Sequence, residues 1–234
     1  MRRPHIVIIG GGFAGLAAAK ALRGKPVDVT VIDRTNHHLF QPLLYQVAMA
    51  GLAPSDITAP IRWLLRNERN AKVIFGEVVK IDPARREVTV DGVAVPVSYD
   101  ALIVTTGSRH AYFGHGAWEP NAPGLKSLED ALEIRRRFLT AFERAEQESD
   151  DAERQRLTTF VIVGGGPTGV ELAGMMIEIV RKAMPRDFRN VDTRRTRVDV
   201  EAIGRWDRDH NGGRVVGGWR PFVHPQLGPV EIGG

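Results

Sequence analysis

The stretch His5-Ile6-Val7-Ile8-Ile9-Gly10-Gly11-Gly12-Phe13-Ala14-Gly15 decides the fold, because an unbroken apolar run enters G-x-G-x-x-G and leaves it into Leu16-Ala17-Ala18-Ala19. A short apolar run stopped by glycine reads as a strand buried on both faces, and the alanine-rich run as a helix from about Ala14 to Leu22, closed by Gly24. In such a strand-turn-helix the first glycine permits the tight turn. The second lets the backbone approach a pyrophosphate, and the third lets the helix pack close to the strand. The anion then rests on free amides at the positive end of the helix dipole. Val27 to Asp33 alternates as a second strand. Asp33 ends it about 20 residues past the turn, where a carboxylate can accept hydrogen bonds from an adenosine ribose. The plainer reading of Asp33 is a strand-end turn residue.

The same design recurs. Phe160-Val161-Ile162-Val163 leads into Gly164-Gly165-Gly166-Pro167-Thr168-Gly169, and a helix should continue through Met175, Met176 and Ile179 to Pro185. Arg197-Val198-Asp199-Val200-Glu201 reads as the next strand, so Glu201 is the matching ribose candidate or else an ordinary exposed strand residue. Glu171, two residues past the third glycine, is placed in the first turn of the helix, where a carboxylate also simply favours the dipole. One such turn marks a dinucleotide site. Two suggest two dinucleotides held face to face, an arrangement suited to passing a hydride from a nicotinamide to a flavin. The fold class expected is α/β: a FAD-binding doubly wound domain with an incomplete inserted NAD-binding Rossmann domain.

Between the turns, residues 35–70 form an excursion with Pro42, Pro54 and Pro60 and a short amphipathic helix over Ile61–Arg66. Val73 to Val97 reads as strands of period two, including Glu87 to Val90, a turn at Asp91-Gly92, and Val93 to Val97. Ala101 to Thr105 is another buried strand, stopped by Gly107. Ser127-Leu128-Glu129-Asp130 has the form of a capping box opening a helix to about Glu148, with Leu128, Leu132, Arg135, Leu139 and Phe142 on one face. Trp63 and Trp118 read as packing residues, Met175 and Met176 as a buried helix face, and Tyr45 as core or site. The domain reading is 1–113 for the FAD-binding segment, 114–157 for a linker and helix, 158–202 for a partial NADH-binding domain, and 203–234 for an irregular tail. That tail holds no lysine, serine or threonine and has no convincing period.

Composition excludes several chemistries. The 234 residues contain no cysteine, which rules out disulfides, thiolate-bound metals and a redox-active cysteine pair; no metal site is expected. No apolar run approaches the roughly 20 residues that span a bilayer. The net charge of +4 comes with arginines scattered among acids, so no nucleic-acid partner is expected. Arg135-Arg136-Arg137, the densest basic cluster, lies among Glu129, Asp130, Glu133 and Glu143 and reads as an exposed helix face.

Several segments together resemble the type II (non-proton-pumping) NADH:quinone oxidoreductases. They are Gly10–Gly15 with Val31–Arg34, His37–Ala48, Tyr99–Ser108, Tyr112–Gly114, Pro123–Ala131 and Val163–Gly174. The match covers roughly residues 4–202, and His37-His38-Leu39-Phe40-Gln41-Pro42-Leu43-Leu44-Tyr45-Gln46 is its most selective part. The resemblance implies that Gly10, Gly12 and Gly15 hold the FAD pyrophosphate, with Phe13 and Ala14 lining the turn. Asp33 and Arg34 would meet the adenosine, Val78 would offer its backbone to adenine, and Thr106 and Gly107 would form a second flavin-contacting turn. Gly164, Gly166 and Gly169 would take NADH, with Glu201 the ribose candidate, and Glu171 would sit beside the nicotinamide–flavin contact and influence hydride transfer. Pro42 to Gln46 would lie near the flavin ring. It further implies a quinone acceptor, peripheral attachment to the cytoplasmic face of the cell membrane and, for a complete member, a homodimer.

The chain also departs from that pattern. Complete members run to about twice its length, and no Gly-Asp pair of the kind that contacts the flavin ribityl chain follows Glu201. The sequence therefore leads us to expect truncation with a foreign tail, as a reading-frame slip would produce, over a divergent member. Two other functions stay in view: a flavin reductase passing electrons to a protein such as rubredoxin or ferredoxin, and an inactive nucleotide-binding fragment.

Overall fold

The computed structural model describes residues 2–112 and 114–201. The expectation for 203–234 lies outside the described residues. Strand β1 (His5–Ile9) enters the glycine turn, helix α1 (Phe13–Ala21) leaves it, and β2 (Asp28–Asp33) returns parallel to β1. The excursion that follows is more ordered than its prolines imply. It holds β3 (His37–Leu39), α2 (Leu44–Ala48), β4 (Thr58–Pro60), which pairs antiparallel with β3, and the one-turn α3 (Ile61–Leu64). Strand β5 (Ala71–Phe75) then joins β2. A meander of β6 (Val78–Asp82), β7 (Glu87–Val90) and β8 (Val97–Ser98) precedes β9 (Ala101–Val104).

The first sheet runs β5-β2-β1-β9 with every neighbouring pair parallel. Its central strands are apolar at nearly every position because both faces are covered. Ile8, Val29 and Val31 pack against Leu16 and Ala19 of α1 and against Ile61 and Leu65. Val7, Ile9 and Ile32 face Val88 and Val90 of the meander. Thr30, fully buried among them, has its hydroxyl 2.7 Å from His5 Nε2. Each fully buried aliphatic side chain is worth about 1.5–3 kcal/mol over leaving it exposed, so these strands define the element.

The meander corrects one expectation. The strand expected over Val93–Val97 is only Val97–Ser98, paired with Val88 and Glu87. Pro96 has no N–H to give a ladder, and Val93 N–H closes a turn on Val90 O at 3.1 Å instead.

The second half opens with α4 (Leu128–Gln147), capped as the sequence implies: Ser127 Oγ accepts from Asp130 N at 3.2 Å, and the Asp130 carboxylate accepts from Ser127 N at 2.9 Å. A helix that the sequence does not announce follows, α5 (Asp151–Leu157), with Asp150 Oδ1 accepting from Ala152 N. Strand β10 (Thr159–Val163), helix α6 (Pro167–Glu178) and strand β11 (Arg197–Glu201) complete a second β-α-β unit with parallel strands.

The core of this half combines Ala131, Phe138, Phe142 and Ala145 of α4 with Ile162, Leu172 and Met176. Leu44, Val47, Ala48 and Met49, from α2 and its end, complete it. The face expected for α4 is thus corrected: Leu132 and Leu139 are exposed, a residue away from the stripe that meets Phe160 and Phe188. Helix α6 also ends before Pro185 as an α-helix. A π turn spans Ile179–Ala183, because Pro185 cannot donate back to the carbonyl four residues earlier.

Candidate functional site

The two glycine turns have the same internal geometry. Gly10 and Gly164 stand at φ +102° and +117°, the left-handed side that lets a strand turn into a helix within one residue. The third glycine of each turn is a packing position. A Cβ on Gly15 would enter the Gly10 carbonyl and stand 2.9 Å from Thr105 Oγ1, and one on Gly169 would enter the Gly164 carbonyl. The second glycine of each is the opposite case, since a Cβ on Gly12 or Gly166 would meet nothing within 4 Å. Those two positions face open space, where a bound group can come against the backbone.

The helix ends point the same way. Helices α4 and α5 carry side-chain caps and acids in their first turns (Glu129 and Asp130, Asp151 and Glu153). Helices α1 and α6 have Gly12 and Gly166 as their N-cap residues, with no side-chain cap and no acid in the first turn. Their orphan amides and positive dipole ends are left for an external anion. A pyrophosphate therefore fits both cradles on geometry and charge.

Around the first turn, Asp33 accepts hydrogen bonds from Gly11 N through Oδ2 and from Thr35 N and Oγ1 through Oδ1. A carboxylate oxygen has two lone-pair sites, so the acid can hold the turn and still accept from a ribose. Phe13 is half exposed and stacks edge-on with His38 at 4.8 Å and Phe40 at 5.6 Å, an aromatic rim to which Ala14 adds an exposed methyl. Arg34 is exposed beside Asp33. Val78 opens β6 shortly after Gly76, whose N–H bonds Asp33 O, which sets it near the same strand end. Thr106 and Gly107 lie exposed just after β9.

Residue-type reasoning missed Thr105, the side chain that ties β9 to the turn by reaching Ile9 O at 2.8 Å and Gly10 O at 3.0 Å. A threonine at the end of an apolar strand beside the glycine strand was the available signal. His38, on β3, has its Nδ1 3.3 Å from Gly11 O, so it belongs to the turn rather than to a free loop. Trp63 is corrected from packing to surface: it is 55% exposed, with the Arg66 guanidinium 4.0 Å over its ring.

At the second turn, Gly164 N–H bonds Glu201 O at 2.6 Å, so Glu201 ends β11 alongside the cradle. Glu171 is the fifth residue of α6 and lies beyond its first turn, because the helix starts at Pro167. That corrects its expected position and moves it from the dipole end toward a neighbouring element. A cleft of about 250 Å³ is lined by Gln41, Pro42, Leu44 and Tyr45 on one side and by Pro167, Thr168 and Glu171 on the other. The histidine-proline-tyrosine segment and the second glycine turn thus share one cavity. Tyr45 is half-buried there, with its hydroxyl accepting from Gln46 Nε2 at 3.1 Å. Met176 is buried and Met175 partly buried in the adjoining core, as the sequence implies.

Two glycine turns of this kind mark a class of nucleotide-binding protein, and the chain belongs to the pyridine nucleotide-disulphide oxidoreductase family, whose model matches residues 4–199. Within the class its likeness is narrower. It is 47% identical over 199 residues to the type II NADH:quinone oxidoreductase Ndh of Mycobacterium tuberculosis, covering 84% of this chain and 43% of that one. An external alternative NAD(P)H-ubiquinone oxidoreductase of Arabidopsis thaliana is 34% identical over 189 residues, covering 76% of this chain and 32% of the relative.

Among solved structures, NDH2 of Plasmodium falciparum in complex with NADH superposes with a TM-score of 0.78 at 25% identity, covering 85% of this chain and 42% of that one. The sulfide:quinone oxidoreductase of Aquifex aeolicus gives 0.64 at 25% identity, covering 83% and 42%. The chain spans less than half the length of these relatives. The type II resemblance and the α/β fold with a parallel nucleotide-binding sheet are both borne out. No helix among the described residues is long and apolar enough to cross a membrane.

Proposed function

We propose that this chain carries the nucleotide-binding core of a type II NADH:quinone oxidoreductase, holding FAD on the first turn and NADH on the second. The observation that carries the reading is the contrast between capped and uncapped helices: α1 and α6 alone among the longer helices described begin on glycine with free amides. In the first cradle Gly10, Gly12 and Gly15 place the backbone against a pyrophosphate. Asp33 and Arg34 hold the adenosine, Val78 meets adenine through its backbone, and Thr106 and Gly107 approach the flavin. In the second, Gly164, Gly166 and Gly169 take the NADH pyrophosphate and Glu201 its ribose.

Bound together, NADH and FAD would supply hydride transfer from nicotinamide to flavin and a two-electron route to a membrane quinone. The chain orients and shields that exchange. Gln41, Pro42 and Tyr45 form one wall of the cleft. Glu171 on the other holds a carboxylate beside the reacting rings and biases the approach of the nicotinamide. Attachment at the cytoplasmic membrane face is peripheral, and the assembled enzyme is a homodimer.

The test is a FAD titration of the purified chain followed by flavin fluorescence, then a single-turnover mix with NADH, with a soluble ubiquinone analogue and a rubredoxin as alternative acceptors. Loss of the oxidised flavin's visible band with NADH, and its return with the quinone, supports the proposal. A chain that binds neither nucleotide, or returns electrons only to rubredoxin, overturns it.

A further inference from the structure

A second cleft lies at the other edge of the first sheet. The glycine turns follow the exit ends of their strands, whereas Arg3 precedes β1, Lys25 precedes β2 and Arg69 precedes β5. These residues, with Arg23, Asn67 and Asn70, line an open cleft of about 440 Å³. At about 3.3 Å per strand residue, the five residues of β1 put roughly 16 Å between it and the cradle.

Its backbone is tied at one point, since Asn70 Nδ2 donates to both Leu22 O and Val27 O at 3.0 Å and so clamps the end of α1 to the start of β2, while the lining cations themselves are exposed. Two nearby acids already face partners, and the exposed Asp28 pairs with none of the cleft's cations. The buried Glu68 sits 3.0 Å from Arg23, and Asp100 holds Arg2 at 2.9 Å and the His5 amide at 2.7 Å. Among the described residues no carboxylate pairs with Arg3, Lys25 or Arg69. Basic residues after a helix often do no more than complement its dipole. Here Arg3 and Arg69 come from other segments and converge on the same space.

We propose that this cleft binds a multivalent phosphate group, either the di- or triphosphate of a small molecule or the phosphorylated headgroup of an anionic lipid. Three unpaired cations around a solvent-open recess of ligand size attract such an anion and are relieved of mutual repulsion by it. The site is separate from both dinucleotide cradles and does not depend on their assignment.

The experiment titrates inorganic triphosphate by calorimetry into the 234-residue chain presaturated with FAD and NAD+, so that the cradles are filled, and into Lys25→Glu/Arg69→Glu, Arg69→Gln and Lys182→Glu variants. Binding should weaken about tenfold or more in the double reversal and less in Arg69→Gln, since a hydrogen bond to a charged partner is worth about 1.5–3 kcal/mol. Lys182→Glu, which reverses an exposed cation on another part of the chain, should leave it unchanged. Flotation with phosphatidylglycerol vesicles against phosphatidylcholine vesicles separates the sources. Flotation that triphosphate competes away assigns a lipid headgroup, and triphosphate binding without flotation assigns a soluble ligand. The inference fails if the wild-type chain binds neither probe, if a double reversal with an unchanged thermal unfolding curve binds both as well as wild type, or if Lys182→Glu weakens binding as much as the double reversal does.

Discussion

The two kinds of glycine in each turn should respond to alanine in opposite ways, and the first turn gives the cleanest case. In Gly15→Ala the new methyl would stand 2.9 Å from Thr105 Oγ1 and 3.0 Å from the Gly10 carbonyl carbon, and inside contact with the Gly10 oxygen. Two of these contacts are Gly10 backbone and the third is a hydroxyl pinned by its bonds to Ile9 O and Gly10 O, so none swings away freely. Overpacking of that kind costs about 1–3 kcal/mol, and displacing Thr105 also loosens its bonds to Ile9 and Gly10, so a net loss of about 2–3 kcal/mol is expected even after alanine's better helix propensity. Gly12→Ala meets open space at φ −73°, which any residue adopts. Its stability cost is about 1 kcal/mol at most, that of a poorer N-cap. Yet the methyl occupies the approach to the free amides, and weakening one or two hydrogen bonds to a pyrophosphate lowers FAD affinity about tenfold to a hundredfold. Guanidinium unfolding followed by circular dichroism measures the first effect, and FAD fluorescence titration the second. The reasoning is refuted if Gly15→Ala is as stable as wild type, or if Gly12→Ala keeps full FAD affinity.

Thr105→Val keeps the shape but removes the hydroxyl that bonds Ile9 O and Gly10 O; a loss of about 1–2 kcal/mol is expected in the same unfolding assay, with weaker FAD binding as the turn loosens. Glu171→Gln should slow flavin reduction in stopped-flow while leaving NADH affinity within about threefold, or roughly 0.6 kcal/mol, because the carboxylate stands off the pyrophosphate cradle. Burial pushes the Glu146 carboxyl up, but bonds from the Arg189, Asn190 and Val191 amides outweigh it and hold the group below its ordinary 4.5. A depressed carboxylate stabilises the fold above its unfolded pKa and loses that contribution as pH falls through its folded one. Thermal unfolding should therefore fall off below pH 4.5 less steeply in Glu146→Gln than in wild type. Glu133, held near 2 by Arg136 and Arg137, titrates later in the same descent but is exposed and adds little.

Much of this architecture was legible because the elements that define it are local. Glycine spacing, the apolar runs before it and the Ser127–Asp130 box are each written within a few residues, and all three form as read. Strand β11 matches its expected bounds for the same reason. What escaped depends on partners distant in sequence. β3 and β4 exist only as a pair, and neither three-residue stretch has a period to detect. The buried face of α4 is set by Phe160, Phe188 and the α2 residues, so its leucines alone mispredicted it. Thr105 looks like one more strand residue until β9 is laid beside β1. Glu171 was legible as a residue through resemblance alone, and its place on the second turn of α6 follows only once Pro167 is known to start the helix.

The alignment of the two cradles resides in neither turn. Each turn fixes its own helix against its own strand, and a rigid-body shift between the halves would leave both intact. What couples them is α2, which comes from the excursion after β2 yet buries Leu44, Val47 and Ala48 in the core built by α4 and α6. Gly51, just past α2, has the Met175 methyl against it, so that a Cβ would come 2.5 Å from its Cε, and α6 thereby reaches the end of α2. On the other side of the same few residues, Gln41, Pro42 and Tyr45 reach the cleft that Glu171 closes. One short segment therefore packs the second core with one set of side chains and walls the shared cavity with the next. In such close-packed interiors small displacements are transmitted rather than absorbed. The distance between the cradles is accordingly set by the packing of Leu44 and Val47, and the selective sequence of residues 37–48 reflects two demands met by one stretch of chain.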